Sequence, residues 1–407
     1  MTILATILSG LSLLMSVLFF IRPKEPSPVM MARLYAGALS PYWAVVGAAG
    51  ALTGWGYGAF WAIPMGILGA GTMIWYVWRT TRDHNGFEEA FGADWSDHIP
   101  HERARLMLQK RWKWFLKMKA SPEPSWARDI PFWTIPDTDR QLLCDVWRTD
   151  GGDSSGLAFV YLHGSGWGAG DKDWLTRPFF HHLTSQGHAV MDVAYRLVPE
   201  VDIYGMIGDV KRAIAWIKTN APRYGVNPGK IVLGGGSAGC HLALLAAYAP
   251  QHSALTPEDV RGADLSVCGV VSLYGPTDLA ASYDHWMSQA QSPRRPEDFR
   301  YAGRLDLLLG GGPHDMPDTY RLVSPITHVH PGSPPTLLMQ GGTDLLVGVD
   351  STRALYARLV ESGVPAINVV LPWTEHMFDL ILPHTSPPAQ TALYDVDRFL
   401  ALLLNKD

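Results

Sequence analysis

The sequence predicts an α/β protein in which a mostly parallel central sheet carries helices on both faces and is preceded by transmembrane α-helices. From about residue 126 onward, short apolar runs typical of buried strands alternate with helical patterns. Several of these runs end in glycine-rich or polar loops, and the carboxyl ends of parallel strands are where such sheets carry their sites. The first 80 residues differ, because long stretches of them contain no charged residue.

Two uncharged stretches near the N-terminus predict a membrane anchor. Residues 2–21 carry no charge, and neither do the 45 residues of 34–78. A spanning helix needs about 20 apolar residues, so the longer stretch is enough for two helices joined by a tight turn. We expect residues 1–80 to form three spans, at about 2–21, 37–56 and 59–78, with tryptophans suited to interfacial belts.

Three other interpretations of this region stay open. The first stretch could be a secretory signal, although it lacks a basic start and a clear small-residue cleavage site. The later pair could be buried helices of a soluble cap, but 45 uncharged residues would leave no solvated face. The glycines at positions 50, 54 and 58 mark either the turn or a close helix–helix face.

The basic residues predict the orientation of the anchor. They flank the uncharged stretches on two sides, before residue 34 and after residue 78: Arg22, Lys24, Arg33, Arg79, Arg82, Arg103 and Arg105. Basic flanks favour the cytoplasmic side, so three spans with the N-terminus outside place the following domain in the cytoplasm. With only two spans, or with the first stretch removed, the N-terminus and that domain would share one side.

Residues 81–125 are expected to form a juxtamembrane amphipathic linker. Within it, residues 101–118 are basic and aromatic at helical spacing. Such a helix could lie on an anionic membrane surface or pack on the following domain, and the sequence favours neither. The run Ser121-Pro-Glu-Pro ends the pattern and marks the domain boundary.

A serine in a glycine-rich turn is the first candidate for chemistry. The apolar run 231–236 leads into Ser237, and an apolar helical stretch follows it. In a tight strand–turn–helix connection the flanking residues must be nearly without side chains, which Gly235 and Gly239 satisfy. The geometry exposes the hydroxyl at the end of the strand, where an adjacent base can activate it as a nucleophile.

A second glycine-rich loop lies about 70 residues upstream. The apolar run 157–162 ends in His163-Gly-Ser-Gly-Trp167. Attack on a carbonyl group builds negative charge on its oxygen, which backbone N–H groups can stabilise. We expect the donors to be the N–H groups of Gly164 and Ser165 in this loop, together with Ala238, the residue after the serine.

A set of short motifs follows in order along the chain, at 163–167, 170–172, 195–200, 209–216, 235–239, 342–347 and 376–378. With these motifs the chain, from about residue 130 to the end, resembles the α/β-hydrolase superfamily, and within it the hormone-sensitive-lipase-like and feruloyl-esterase-like carboxylesterases. The resemblance implies an α/β-hydrolase fold with a small lid and the order serine, acid, histidine along the chain. It also suggests His163, Trp167 and Asp278 as residues of the substrate pocket. The chain departs from the family at Ser165, where the family usually has glycine.

The acid and the base can be sought at the ends of later strands. The apolar run 335–340 leads to Asp344, which we take as the acid, with Asp350 and Asp278 as rivals. The run 367–372 is followed by His376, which we take as the base. His384 is the nearby alternative, but no strand precedes it. Roles of this kind depend on geometry rather than on position in the sequence.

These residues predict a catalytic domain over 126–407 with a lid insertion at about 280–319. The expected activity is that of a membrane-anchored serine carboxylesterase or lipase acting on a lipophilic or acylated small-molecule ester through an acyl-enzyme. An amidase, formamidase or peptidase with the same residues is the alternative, and a non-catalytic interaction protein is a further one. We expect no cofactor and no metal, and the net charge of −5 gives no reason to expect nucleic acid.

Overall fold

A single eight-stranded sheet forms the centre of the C-terminal region. The computed structural model describes residues 1–23, 26–118, 123–149, 154–289 and 302–405. Its strands lie in the order β1-β2-β4-β3-β5-β6-β7-β8. The pairs β1–β2 and β2–β4 are antiparallel, and all other neighbouring pairs in this sheet are parallel. The strands are Ser125–Thr134, Gln141–Arg148, Ala158–Leu162, Ala189–Val193, Ile231–Gly236, Gly269–Leu273, Thr336–Gly341 and Ala366–Leu371.

Helices cover both faces of this sheet and precede it. One hydrophobic core lies between the sheet and α8, α9 and α13, and a second lies between the sheet and α7 and α14. The helices α1–α14 are Thr2–Val17, Pro28–Ala38, Ser40–Gly56, Ala62–Thr81, Gly86–Phe91, His101–Ala104, Arg177–Ser185, Ile203–Asn220, Ala238–Tyr248, Leu279–Gln289, Ala302–Leu309, Pro317–Leu322, Val349–Glu361 and Pro387–Leu403.

The predicted strands 157–162, 231–236, 335–340 and 367–372 are each found within two residues of the expected position. All residues of β3, β4, β5, β6 and β7 are buried. Parallel strands that carry helices on both faces must be apolar throughout, so their runs stand out in the sequence. Strand β5 lies at the middle of the sheet and leads directly to Ser237.

The helices α1 to α4 form a bundle that precedes the sheet. Helices α1, α3 and α4 pack against one another through small residues, and a Cβ added at Gly66 would lie 2.8 Å from the Ser9 hydroxyl and 3.0 Å from Ala51. Their outer faces expose large apolar side chains, among them Ile7, Leu14, Leu52, Ile67, Leu68 and Ile74. In the part of the chain that is described, one helical segment is by itself long and apolar enough to cross a membrane. It is Thr2–Phe20, which consists of α1 and the 3-10 turn Leu18–Phe20 that continues it.

Two N-terminal segments differ from the sequence-based expectation. The expected loop 22–33 is partly helix α2, which ends at Ala38, so the next helix begins at Ser40 rather than at 37. The predicted helix 101–118 is wrong beyond Ala104, because residues 105–118 run irregularly along α14. Of the two alternatives left open for this segment, the structure shows contact with the C-terminal region, made without a helix. Lys24, one of the basic flanking residues, and Ser121, at the expected domain boundary, lie outside the described residues.

The predicted lid contains helices where it is described. Helices α10, α11 and α12 pack together, with the rings of Tyr283 and Tyr320 in edge contact at 6.1 Å. The lid also contacts the loops at the carboxyl ends of the strands, because Arg304 donates to the carbonyl oxygen of Ser165 at 2.9 Å. This insertion therefore lies against the loop after β3 at this edge of the sheet.

Candidate active site

Ser237 occupies a sharp turn between β5 and α9. Its backbone has φ 53° and ψ −121°, a conformation that a serine adopts only where the surroundings hold it. Cβ atoms added at Gly235 or Gly239 would overlap the carbonyl oxygen of Leu162. The two glycines therefore let the turn lie directly against the end of β3, which exposes the serine side chain at the edge of the sheet.

Asp344 and His376 meet beside this turn. Nδ1 of His376 lies 2.8 Å from Oδ2 of Asp344, and both residues are buried. The carboxylate also accepts hydrogen bonds from the side-chain amide of Gln340 at 2.7 Å and from the N–H groups of Leu346 and Val347 at 2.8 and 2.9 Å. A carboxylate held in this way fixes the orientation of the imidazole ring.

The rival candidates lie elsewhere. Asp350 is exposed and pairs with Arg353 one turn along its own helix. The Nδ1 atom of His384 is 2.9 Å from the Leu116 carbonyl oxygen, and its ring stacks on Phe115. Geometry therefore favours Asp344 and His376.

The loop after β3 packs on the serine turn. Within the described residues, the N–H groups of Gly164 and Ser165 donate to no protein acceptor. Gly164 is so close to the turn that an added Cβ would lie 2.9 Å from the Gly236 carbonyl oxygen and 3.3 Å from Cβ of Ser237. Ser165 has φ 86°, the left-handed region that favours glycine. Ala238 is buried at the first position of α9.

A cavity of about 430 Å³ opens at this point. Both Ser237 and His376 line it, and so does the predicted pocket residue His163. The remaining walls come from the loops after β3, β6, β7 and β8 and from the lid, and include Gly164, Ser165, Gly170, Trp174, Tyr274, Arg304, Leu346, Met377 and Leu380.

Two predicted pocket residues lie outside this cavity. Trp167 is buried in the core, where its indole N–H donates to Nδ1 of His241 at 3.3 Å. Asp278 lines a separate groove and accepts a hydrogen bond from the N–H of Ala281 at 3.1 Å. Both expectations are therefore corrected: Trp167 supports the loop from behind, and Asp278 caps the start of α10.

Burial sets the protonation of several groups around the cavity. It lowers the pKa of His163, whose ring stacks on Tyr195 with centroids 4.4 Å apart, so this histidine is neutral. Burial also raises the pKa of Asp379 to about 6, while a hydrogen bond of 2.5 Å from the Tyr274 hydroxyl opposes the shift.

Sequence reasoning missed three residues of the site. Tyr274 places its ring 4.4 Å from that of His376, Arg304 reaches in from the lid, and Glu375 is buried beside His376. Tyr274 ends a strand and Glu375 adjoins the proposed base, so position in the sequence offered a signal for both. No signal marked Arg304, since the charged lid contains many similar residues.

Comparison with known proteins places the chain in a family. The profile of the BD-FAE family matches residues 144–359. The esterase LipQ of Mycobacterium tuberculosis is 30% identical over 305 residues, which cover 73% of this chain and 69% of that protein. The probable carboxylic ester hydrolase LipM of the same organism is 32% identical over 266 residues, covering 63% of this chain and 57% of that protein.

Solved structures agree on the fold. The esterase B of Lactobacillus rhamnosis superposes with a TM-score of 0.56 at 23% identity, covering 70% of this chain and 88% of that one. A truncated carbohydrate esterase from gut microbiota gives a TM-score of 0.56 at 21% identity and covers 72% of this chain and all of that one. Taken with the sheet order and the serine turn, these matches show that the chain is an α/β-hydrolase esterase of the BD-FAE family.

Proposed function

We propose that this protein is a membrane-anchored carboxylesterase in which Ser237, His376 and Asp344 form a catalytic triad. The observation that carries the proposal is the hydrogen bond of 2.8 Å between His376 and Asp344 at the cavity that Ser237 also lines. We take the substrate to be a carboxylic ester of a lipophilic or acylated small molecule, because an enzyme anchored in a membrane lies next to lipophilic molecules.

The chemistry follows from these positions. Nε2 of His376 takes the proton of the Ser237 hydroxyl while Oγ attacks the carbonyl carbon of the ester. When the tetrahedral intermediate collapses, the C–O bond to the alcohol breaks and His376 gives the proton to the departing oxygen. Water, deprotonated by the same histidine, then attacks the acyl-enzyme, and the acid is released with Ser237 restored. Asp344 stabilises the imidazolium form in both halves.

The oxyanion is held by backbone groups. We assign the oxyanion contacts to the N–H groups of Gly164, Ser165 and Ala238, because Gly164 packs against Ser237 and the first two N–H groups have no protein acceptor among the described residues. Donors fixed in this way need no reorganisation when charge develops. Arg304 holds the loop through the carbonyl oxygens of Ser165 and Gly166, at 2.9 and 3.2 Å, and so fixes the direction of these donors.

The test uses the full-length protein in detergent micelles. It should hydrolyse p-nitrophenyl esters and react with a fluorophosphonate, and Ser237→Ala should abolish labelling and lower kcat by more than about 10³-fold. Matched anilides in place of the esters measure amide hydrolysis. If the Ser237→Ala variant keeps its turnover and labelling, the proposed nucleophile is wrong.

The N-terminal bundle is proposed to be the membrane anchor, with α1, α3 and α4 as three spans. Its construction supports this, because glycine, alanine and serine lie between the helices while leucine, isoleucine and tryptophan face outward. Helices in lipid associate through small residues, since lipid supplies the apolar environment outside. Cβ atoms added at Gly47 or Gly69 would overlap Ser12 of α1, so the first helix is part of the bundle.

The orientation is proposed from the two ends of the bundle. The start of α1 lies beside the α3–α4 turn, where the indole N–H of Trp61 donates to the Thr6 hydroxyl at 2.9 Å. Arg22, Arg33 and Arg79 lie toward the other end, on the side of the catalytic domain. Basic residues favour the cytoplasmic side, which places the active site in the cytoplasm.

Cysteine labelling from outside intact cells tests this orientation. Gly56, near the α3–α4 turn, has open space around its Cβ position, so Gly56→Cys should react with an impermeant maleimide. Val360→Cys, exposed on the catalytic domain, should react only after the membrane is opened. Cys268 is replaced by serine in both. Labelling of Val360→Cys in intact cells would contradict a cytoplasmic active site.

A further inference from the structure

A buried ion pair joins the N-terminal region to the loop of the proposed base. Arg33, on helix α2, pairs with Glu375, the residue before His376. Both side chains are only 1% exposed. Arg33 is the one charged residue of helix α2, and the other residues from Pro28 to Ala38 are uncharged and mostly apolar or small. A charge so deeply buried is stable only when it is paired, so this contact determines where both segments lie.

Arg33 bridges the two loops that carry the acid and the base. Its second terminal nitrogen donates to the hydroxyl of Thr343, the residue before Asp344, at 3.0 Å. That hydroxyl is 3.1 Å from the carbonyl oxygen of Thr374. Glu375 accepts a hydrogen bond from the N–H of Leu345 at 3.2 Å, which ties the two loops together from the other side.

Helix α4 holds the same loop at a second point. The Tyr76 hydroxyl lies 3.0 Å from that of Thr374, and the rings of Trp75 and Trp373 have centroids 3.7 Å apart. Trp373 and Met377, on either side of the proposed base, have φ values of 51° and 64°. Residues in that left-handed region need surrounding contacts to stay there, and the N-terminal helices supply several of them.

We propose that Arg33 is a positioning residue for the active site, because its pairing with Glu375 holds His376 in reach of Asp344 and Ser237. The proposal rests on the proposed triad. It makes the N-terminal region part of the framework of the active site as well as a tether.

The electrostatics of this site predict what happens when Arg33 is removed. The charged and titratable groups around Glu375 are Arg33 from α2, Asp344 from the loop after β7, His376 from its own loop and Tyr76 from α4. Burial raises the pKa of Glu375 to about 7, and Arg33 opposes that rise. Without Arg33 the pKa lies higher still, so the carboxyl is neutral at low pH and becomes an unpaired buried charge as the pH increases.

The experiment compares Arg33→Met with Arg33→Met/Glu375→Gln in the full-length protein, using p-nitrophenyl butyrate between pH 6 and 9. At pH 6 the two variants should agree within about twofold, because glutamine resembles the protonated carboxyl. At pH 9 the single variant should be about tenfold slower in kcat than the double variant, with KM little changed. Exposed Arg82, at the end of α4, provides the control Arg82→Met, with kcat equal to the wild type.

A second variant keeps the test decisive if Arg33→Met folds poorly. Glu375→Gln alone removes the anionic partner of Arg33, so kcat should fall by about threefold or more above pH 7, where the wild-type carboxyl is charged, and much less at pH 6, where glutamine resembles the protonated carboxyl. A pH-independent ratio between the first two variants, or a pH-independent ratio of Glu375→Gln to the wild type, overturns the positioning role. Full activity of Ser237→Ala would instead overturn the proposed triad, whatever the Arg33 variants show.

Discussion

Ser165 has a backbone conformation that favours glycine. Its φ is 86°, and its hydroxyl is buried with no hydrogen-bond partner among the described residues. A non-glycine residue held in that region costs on the order of 1 kcal/mol or more. The proposed role of Ser165 needs only its N–H, so the side chain is a cost to stability without a visible gain in the site.

Replacing this serine should therefore stabilise the protein. We expect Ser165→Gly to raise the free energy of unfolding by up to about 1 kcal/mol and to leave kcat within about threefold. Ser165→Ala, which removes the hydroxyl but keeps the Cβ, should show no such gain. Thermal unfolding and p-nitrophenyl ester turnover measure both effects. A large fall in kcat for both variants would show instead that the hydroxyl takes part in the reaction.

At the scale of elements, the N-terminal helices separate inward-facing from outward-facing glycines. A Cβ added at Gly66 would press on the backbone of Gly47 and on Ser9, whereas one at Gly71 on the same helix α4 meets nothing within 4 Å. Both positions are glycines on helix α4. They differ only in what lies opposite, which makes them a matched pair.

Gly66→Ile should disrupt the bundle and Gly71→Ile should not. Overpacking of this kind costs about 1–3 kcal/mol, and the Tyr76 contact with Thr374 passes the disturbance to the active site. We expect Gly66→Ile to lower the unfolding temperature in detergent and to slow ester turnover, while Gly71→Ile resembles the wild type. Equal behaviour of the two variants would argue against helix packing through α4.

The elements that the sequence predicted well are those whose pattern is local. The buried strands are continuous apolar runs, and the turn around Ser237 has glycines at fixed offsets. The pairing of Asp344 with His376 could be predicted because each residue follows such a run. Arg33 could not be connected with Glu375, because the pair depends on how a helix near one end docks on a loop near the other. The irregular course of 105–118 has the same cause, since contacts with α14 override a weak helical preference.

At the scale of the whole molecule, residues 83–118 fasten the N-terminal region to the last helix. Arg111 pairs with both Asp83 and Asp395, at 2.9 Å each, and His84 lies 3.2 Å from Asp395. A second aspartate of α14 contributes as well, because Asp397 accepts a hydrogen bond from the N–H of Leu108 at 2.8 Å. Asp395 and Asp397 are fully buried, so their partners are essential to their stability.

Asp395→Asn should therefore destabilise the protein strongly. Arg111 would lose its buried partner, and breaking such a pair costs about 3–5 kcal/mol. Asp350→Asn is the control, because that carboxylate is 92% exposed and its ion pair among the described residues is with Arg353, and we expect a change below about 0.5 kcal/mol. Unfolding in denaturant measures both. A small effect of Asp395→Asn would show that this segment is held mainly by its apolar contacts.

The ion pair between Arg33 and Glu375 also has a consequence for how the protein is made. The two residues are 342 positions apart (375 − 33). At a synthesis rate of about 5–20 residues per second, Glu375 follows Arg33 after roughly 17–70 seconds. During that interval helix α2 has left the ribosome without its partner, and the Arg33 cation remains solvated. The loops that carry Asp344 and His376 can reach their final positions only when β8 and the loop after it have been translated, so the growing chain stays inactive until then.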